Sequence, residues 1–428
     1  MAEAVRGAPR RDAFAALRHP NFNRYIVALF ALTVGIQIQG TVVGWQIYDL
    51  THDPLALGLI GLAEALPALS TALYAGHVAD THDRRRIALA ALAVLVGCSV
   101  ALWVLAGPRP LGAEMLSTAR VNAIYGVIVV SGLARAFLQP ARQALSAELV
   151  PRALFANAIT WRSGTWQLAA VLGPALGGLL YAIGGSPLAY AVDAALMVVA
   201  VVVLFTVTHR SPVRDDTGEG IIASLTSGVR FVFREPVILG ALTLDLFSVL
   251  FGGAVALLPI FAAEILFVGP TGLGILRASP AIGAVITSVV LARRHDFTHS
   301  GRALLLAVAA FGTSMVLFGL STSFYLSVAL LIAAGMSDMV SVVIRSTLLQ
   351  TRTPEAMLGR VSSVNQIFIG SSNEIGAFES GVAARWLGTA RSVVLGGIAT
   401  LGVVAAVAWL VPALRRLGRL HPDERSAA

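Results

Sequence analysis

The chain alternates long apolar runs with short polar breaks, and about 20 apolar residues suffice to cross a bilayer core as helix. Twelve such runs can be marked, at 24–47, 55–79, 87–106, 120–140, 155–183, 187–208, 236–262, 271–292, 302–320, 323–350, 359–386 and 392–412. Breaker pairs separate several of them: Asp53-Pro54, Gly107-Pro108, Gly184-Gly185-Ser186-Pro187 and Gly269-Pro270. A polar stretch at 209–220, with Arg214, Asp215, Asp216 and Glu219, divides the runs six and six. Residues 221–234 read as an amphipathic helix on the membrane surface. The pattern predicts an all-α polytopic membrane protein.

The two sets of six repeat one another. Residues 132–178 align without gaps to 335–381 at an offset of 203, placing Gly132 on Gly335, Arg142 on Arg345, Pro151 on Pro354, Gly173 on Gly376 and Gly178 on Gly381. Near the start of each half, Arg18-His19-Pro20 matches Arg234-Glu235-Pro236 at an offset of 216. The difference, 216 − 203 = 13, equals the length of 107–119, which reads as an insertion before the fourth span. The predicted organisation is a segment 1–23, a six-helix bundle 24–208, a linker with amphipathic helix 209–234, a second bundle 235–412 and a tail 413–428. Parallel six-helix halves related by an axis along the membrane normal are the architecture of rocking transporters.

Composition agrees with lipid as the solvent. Of 428 residues, 57% are hydrophobic and 13% charged, where soluble domains carry about 25% charged. All 31 basic residues are arginine, and the net charge of +8 is scattered between apolar runs, which argues against a nucleic-acid partner. The arginines act instead as orientation signals. With the N-terminus inside, 23 of the 31 fall on cytoplasmic segments, four (Arg109, Arg120, Arg385, Arg391) outside and four within spans. This is the positive-inside asymmetry, and it predicts an inner-membrane protein with both termini cytoplasmic. The single Cys98 rules out an internal disulfide framework, and 1–24 lacks the features of a cleavable signal peptide.

Three motifs carry a resemblance. The loop between spans 2 and 3 reads Gly76-His-Val-Ala-Asp80-Thr-His-Asp83-Arg84-Arg85-Arg86, span 5 contains Gly173-Pro174-Ala175-Leu176-Gly177-Gly178, and Leu349-Gln350-Thr351-Arg352-Thr353-Pro354-Glu355-Ala356-Met357-Leu358-Gly359-Arg360-Val361 follows span 10. With Tyr48-Asp49-Leu50-Thr51 and Pro140-Ala141-Arg142, they resemble the enterobactin-exporter-like branch of the major facilitator superfamily over essentially the whole chain. The resemblance implies twelve helices in two pseudo-symmetric bundles, a monomer, and export of a siderophore- or drug-like molecule in exchange for protons. It implies a cytoplasmic gate at Gly76, Asp80, Asp83, Arg84 and Arg85, with Asp80 latching to the other half. Thr81 and Asp83 depart from the family pattern, which there has a basic residue and a glycine. His77, Asp80, His82 and Asp83 also permit a metal reading, but nothing nearby completes a ligand set, so no metal or cofactor is expected.

An ionisable residue at mid-span costs about 2.5–3.5 kcal/mol on insertion scales and needs a reason. The candidates for coupling protons to substrate are Glu64, Arg135, Asp245 and Asp338, with Arg162, Asp193, Glu374 and Glu379 secondary. Arg135 and Asp338 are repeat equivalents (135 + 203 = 338) and are expected to pair across a central cavity. Arg142 and Arg345 are expected to snorkel towards the cytoplasm, and Asp193 and Glu264 to lie at the outer interface. Trp45, Trp161, Trp166 and Phe247 are candidates to line the cavity. No HExxH, GxSxG or phosphate-cradling loop supports an enzyme. A lipid flippase or a small-metabolite importer on the same fold remains open at this point.

Overall fold

The computed structural model describes residues 12–107, 117–209, 221–252, 254–293 and 298–418; the side chains of Ala72, Leu73, Asp80, 221–225, Glu355, Ala356, Ile367 and Ser371 fall outside that description. The described residues are overwhelmingly helical. The first half holds α1 (Pro20–Thr51), α2 (Pro54–Thr81), α3 (Arg84–Ala106) and α4 (Ser117–Glu148). Phe155–Phe205 is continuous but breaks at Gly184 and Gly185, where Gly185 takes φ +66°, a backbone region that favours glycine. Its limbs, α5 (155–183) and α6 (186–205), form a hairpin almost without a loop.

The amphipathic segment is α7 (Ile221–Arg234), which packs on the second half. That half continues with α8 (Pro236–Phe251), α9 (Ala254–Ile260) running into a π-helical turn Phe261–Ile265, α10 (Gly269–Ala292), α11 (Ser300–Leu320), α12 (Phe324–Arg352), α13 (Glu355–Leu387), α14 (Thr389–Leu410) and the short α15 (Pro412–Arg415). Among the described residues ten helices are long and apolar enough to cross a membrane, and one of these is the 54-residue segment Arg152–Phe205. Its second limb and the more polar 33-residue α13 make the fold consistent with twelve crossings. The seventh predicted span, drawn as one helix, is broken after Phe251.

Side-chain chemistry sets the helix ends. Asp53 accepts from the Leu55 N–H at the start of α2, and Asp83 accepts from the Arg85 and Arg86 N–H groups at the start of α3. These are N-caps, worth about 1 kcal/mol each. Pro20, Pro54, Pro236 and Pro270 sit in the first turns of α1, α2, α8 and α10, where a missing N–H costs nothing.

The core is divided unevenly between the two ends of the bundle. At the end where α2 begins (the Pro54 end), one cluster joins both halves, from Ile38, Ile47 and Tyr190 to Phe261, Phe318 and Leu331. At the opposite end, where α3 begins (the Arg84 end), the cores are separate. One draws only on the first half, through Phe22, Leu95 and Leu145, and two others only on the second, through Leu304 with Leu348 and Ile238 with Val361.

Candidate functional site

The halves meet through two backbone contacts related by the repeat. Gly178 on α5 lies against Pro270 and Gly274 of α10, and a Cβ added there would collide with the Pro270 carbonyl oxygen. Gly381 on α13 lies against Pro54 and Gly58 of α2, where an added Cβ would come within 2.7 Å of the Gly58 Cα. The partners obey both offsets: 178 + 203 = 381, 58 + 216 = 274 and 54 + 216 = 270. The helix-5 motif therefore packs two ways. Gly173 and Gly177 receive α1 at Gln37 and Ile38, while Pro174 and Gly178 receive α10.

Three polar contacts join the halves beside these glycines. The Tyr48 hydroxyl donates to Glu264, and because 48 + 216 = 264 this bond links repeat equivalents across the pseudo-twofold axis. Arg385 pairs with Asp53 at 3.5 Å, and Arg277 donates to the Gly40 carbonyl. The hydrogen bonds and ion pairs described at the Arg84 end each stay within one half, as in Arg84–Glu148 and Arg352–Glu235.

Where the shared core gives way to the separate ones, charges from four helices gather. Glu64 on α2 pairs with Arg135 on α4, both side chains about a quarter exposed (29% and 26%). One turn earlier on α2, Gly61 leaves room for Glu374 of α13; its added Cβ would lie 3.6 Å from Glu374 Oε2. Glu374 is within electrostatic reach of Glu64 and Arg135, and Arg277 of α10 within reach of Glu64. Two carboxylates thus face one shared guanidinium, with a second guanidinium beside them. Sequence reasoning passed over Arg277, although an arginine inside an apolar run of a spanning helix was a readable signal.

The other predicted residues divide. Arg135 and Asp338 do not pair: Arg135 pairs within its own half with Glu64 and, beside Asp338, Arg345 pairs with Asp245. Asp338 is exposed at the middle of α12, on the face that carries Arg345 two turns on. Arg345 does not snorkel; it is 4% exposed and its charge is met by Asp245 on α8. Asp193 is not interfacial, whereas Glu264 is exposed in the π-helical turn that ends its span. Asp193 is fully buried with its carboxylate against Gly35 of α1, and Glu264 takes the Tyr48 bond.

At the Arg84 end, Arg84 pairs with Glu148 and donates to the Ala79 carbonyl, while Arg85 donates to the Phe205 carbonyl and lies over its ring. Asp83 caps α3, and Gly76 faces open space. All of these contacts stay within the first half, and the Asp80 side chain lies outside the described residues. Among the described residues no three His, Cys, Asp or Glu side chains gather as metal ligands. Trp161 holds the N-terminal segment through the Ala13 carbonyl, Trp45 packs on Tyr181, and Phe247 stacks on Phe251; Trp166 is half exposed.

A model of the transmembrane secretion effector family, within the major facilitator superfamily, matches residues 11–422. The chain belongs to that family. As a secretion effector of this superfamily it is a membrane transporter and not an enzyme. It is 27% identical over 407 residues to the enterobactin exporter EntS of Shigella flexneri, and 27% over 407 residues to that of Escherichia coli O1:K1, covering 95% of both chains in each case. Solved structures share the fold at lower identity. A bacterial homolog of the human lysosomal transporter Spinster, in an inward-facing and unoccupied conformation, superposes with a TM-score of 0.73 at 15% identity, over 94% of this chain and 99% of that one. A point mutant of the nucleoside transporter NupG gives 0.72 at 13%, over 91% and 100%.

Proposed function

We propose that this transporter exports a siderophore- or drug-like organic molecule across a bacterial inner membrane by alternating access, in exchange for protons. The Arg84 end, with Arg84, Arg85, Arg86 and the linker, faces the cytoplasm, and so do both termini. The observation that carries the coupling is the charge cluster of Glu64, Arg135, Glu374 and Arg277, two residues from each half, at the level where the halves part.

The chemistry follows from competition. With both carboxylates charged, Glu374 of the second half attracts Arg135 of the first and Arg277 of the second attracts Glu64 of the first, which favours closure at the Pro54 end. A proton taken up by Glu374 removes the first of these attractions and one taken up by Glu64 the second, so the energy of the closed outer end depends on protonation. The separate cores at the Arg84 end correspond to the state that admits cargo from the cytoplasm. Support for export comes from the family and from the enterobactin exporters to which the chain is similar over nearly its whole length.

The test is proton release or uptake by the purified protein on adding a panel of siderophores and cationic drugs, with Glu64→Gln and Glu374→Gln beside wild type. A ligand-dependent proton signal that is lost in either variant supports antiport through this cluster. Ligand binding without proton movement in any variant overturns the coupling and brings a flippase or importer forward.

A further inference from the structure

The repeat sets Arg142 on α4 opposite Arg345 on α12 (142 + 203 = 345), yet the two arginines are treated differently. Arg345 is sealed against Asp245. The position equivalent to Asp245 in the first half is Leu29 (29 + 216 = 245), a buried apolar residue of α1. Among the described residues Arg142 therefore has no carboxylate partner. The nearby Tyr25 hydroxyl donates to the Arg142 backbone carbonyl at 2.9 Å and leaves the guanidinium unmet.

A second cation stands beside it. Arg162 on α5 has the Ser146 hydroxyl 3.2 Å from its Nη1, and its equivalent in the second half is the neutral Asn365 (162 + 203 = 365). Arg142 lies within electrostatic reach of Arg162 and Arg135, all of one sign. Both side chains are half-buried. Arg142 lies six residues before the end of α4 and Arg162 seven residues into α5, so each is about 10 Å inside the Arg84 end at 1.5 Å per residue. Gly164, two residues beyond Arg162 on α5, faces open space. Two like charges at this depth in a membrane protein, with the neutralising acid of the sister half replaced by leucine, require an anion that is not part of the chain.

We propose that Arg142 and Arg162 form a binding site for an anionic group of the cargo, a carboxylate, phenolate or phosphate of an organic acid, with the Tyr25 and Ser146 hydroxyls, whose protons go to the Arg142 and Gln143 carbonyls, as positioning groups. The site lies between the open mouth at the Arg84 end and the Glu64–Arg135–Glu374 cluster. An anion seated there lies one step from Arg135, seven residues and two turns further along the same face of α4. Naming the anion as cargo rests on the transport reading above; the binding site itself does not.

The test is equilibrium binding of radiolabelled salicylate to the purified full-length protein, with salicylamide, its uncharged analogue, as competitor. Binding needs neither a gradient nor a direction, so a negative result here leaves export untouched, and a failed transport assay leaves this site untouched. The expected result is saturable binding that excess salicylamide does not displace. Arg142→Gln and Arg162→Gln weaken it by about tenfold or more, the loss of a charge-assisted hydrogen bond. Arg142→Lys, which keeps the charge, stays within about threefold of wild type. Leu29→Asp, which gives Arg142 the internal partner that Arg345 has, weakens binding as Arg142→Gln does while retaining the arginine. Absence of saturable binding, equal displacement by salicylamide, or glutamine variants that bind like wild type each overturns the proposal.

Discussion

Arg142 and Arg345 occupy one position in two copies of the same six-helix plan, and they differ in the acid beside them. In the second half Asp245 reaches Arg345 and both are buried, at 8% and 5% side-chain exposure. In the first half leucine stands in the place of that acid and the half-buried arginine has no carboxylate partner among the described residues. Seven residues earlier the signs themselves differ: the first half has Arg135, paired with Glu64, and the second has Asp338. The halves share helices and several glycines and prolines at matched numbers, and one clear difference between them is where charge is cancelled. The second half neutralises its own buried arginine and serves as scaffold, whereas the first presents positive charge to the cleft.

The sharpest way to break this comparison is to remove Asp245. Asp245→Ala leaves Arg345 buried without that partner and should cost about 3–5 kcal/mol, seen as a lowered midpoint of denaturation in detergent. Arg142→Ala at the equivalent position should leave the midpoint unchanged or raised; equal losses at both positions would erase the distinction drawn here.

Next in size is the Tyr48–Glu264 bond, where repeat equivalents touch across the axis. Tyr48→Phe removes a donor to a carboxylate and should weaken closure of the Pro54 end by about 1.5–3 kcal/mol. Distances between spin labels placed at Ile60 and Ile375 should then broaden towards longer values; an unchanged distribution would show that the glycine contacts alone hold the halves together.

Those contacts give a third expectation. Gly178→Ala and Gly381→Ala should each strain the closed end by about 1–3 kcal/mol, with Gly178 the worse because its added Cβ meets a carbonyl oxygen more closely than that of Gly381 meets the Gly58 Cα. The same distance measurement ranks them. The smallest effect belongs to Arg385→Gln. Its pair with Asp53 is 53% and 35% exposed, so about 0.2–1 kcal/mol is at stake, and the midpoint of denaturation should barely move.

Much of this plan was legible in the sequence, because a bilayer imposes length and apolarity on each crossing and turn residues mark the ends. The break at Gly184–Gly185, the caps at Asp53 and Asp83 and the match of Gly178 to Gly381 were all readable from residue types. Charge partners were not. Depth along a span follows from counting, but the face of the helix does not, and Asp193 shows the gap. Counted from Pro187 it lies six residues in, and the fold keeps it at that depth but turns it inward onto Gly35. Pairing Arg135 with Asp338 failed for a geometric reason. Repeat equivalence places two residues on opposite walls, whereas ion pairs form between neighbours, and α2 brings Glu64 to Arg135 first.

The bearing surface between the halves has a consequence of its own. Gly178 on Gly274 and Gly381 on Gly58 set main chain directly on main chain, so there are no side chains there to change rotamer when the halves tilt. The glycine seats themselves then add no rotamer barrier, and what resists a tilt is the Tyr48–Glu264 bond, the shared core and the surrounding lipid. The speed of the movement should follow the viscosity of the membrane, and a lipid of stiffer acyl chains should slow turnover without touching a single residue.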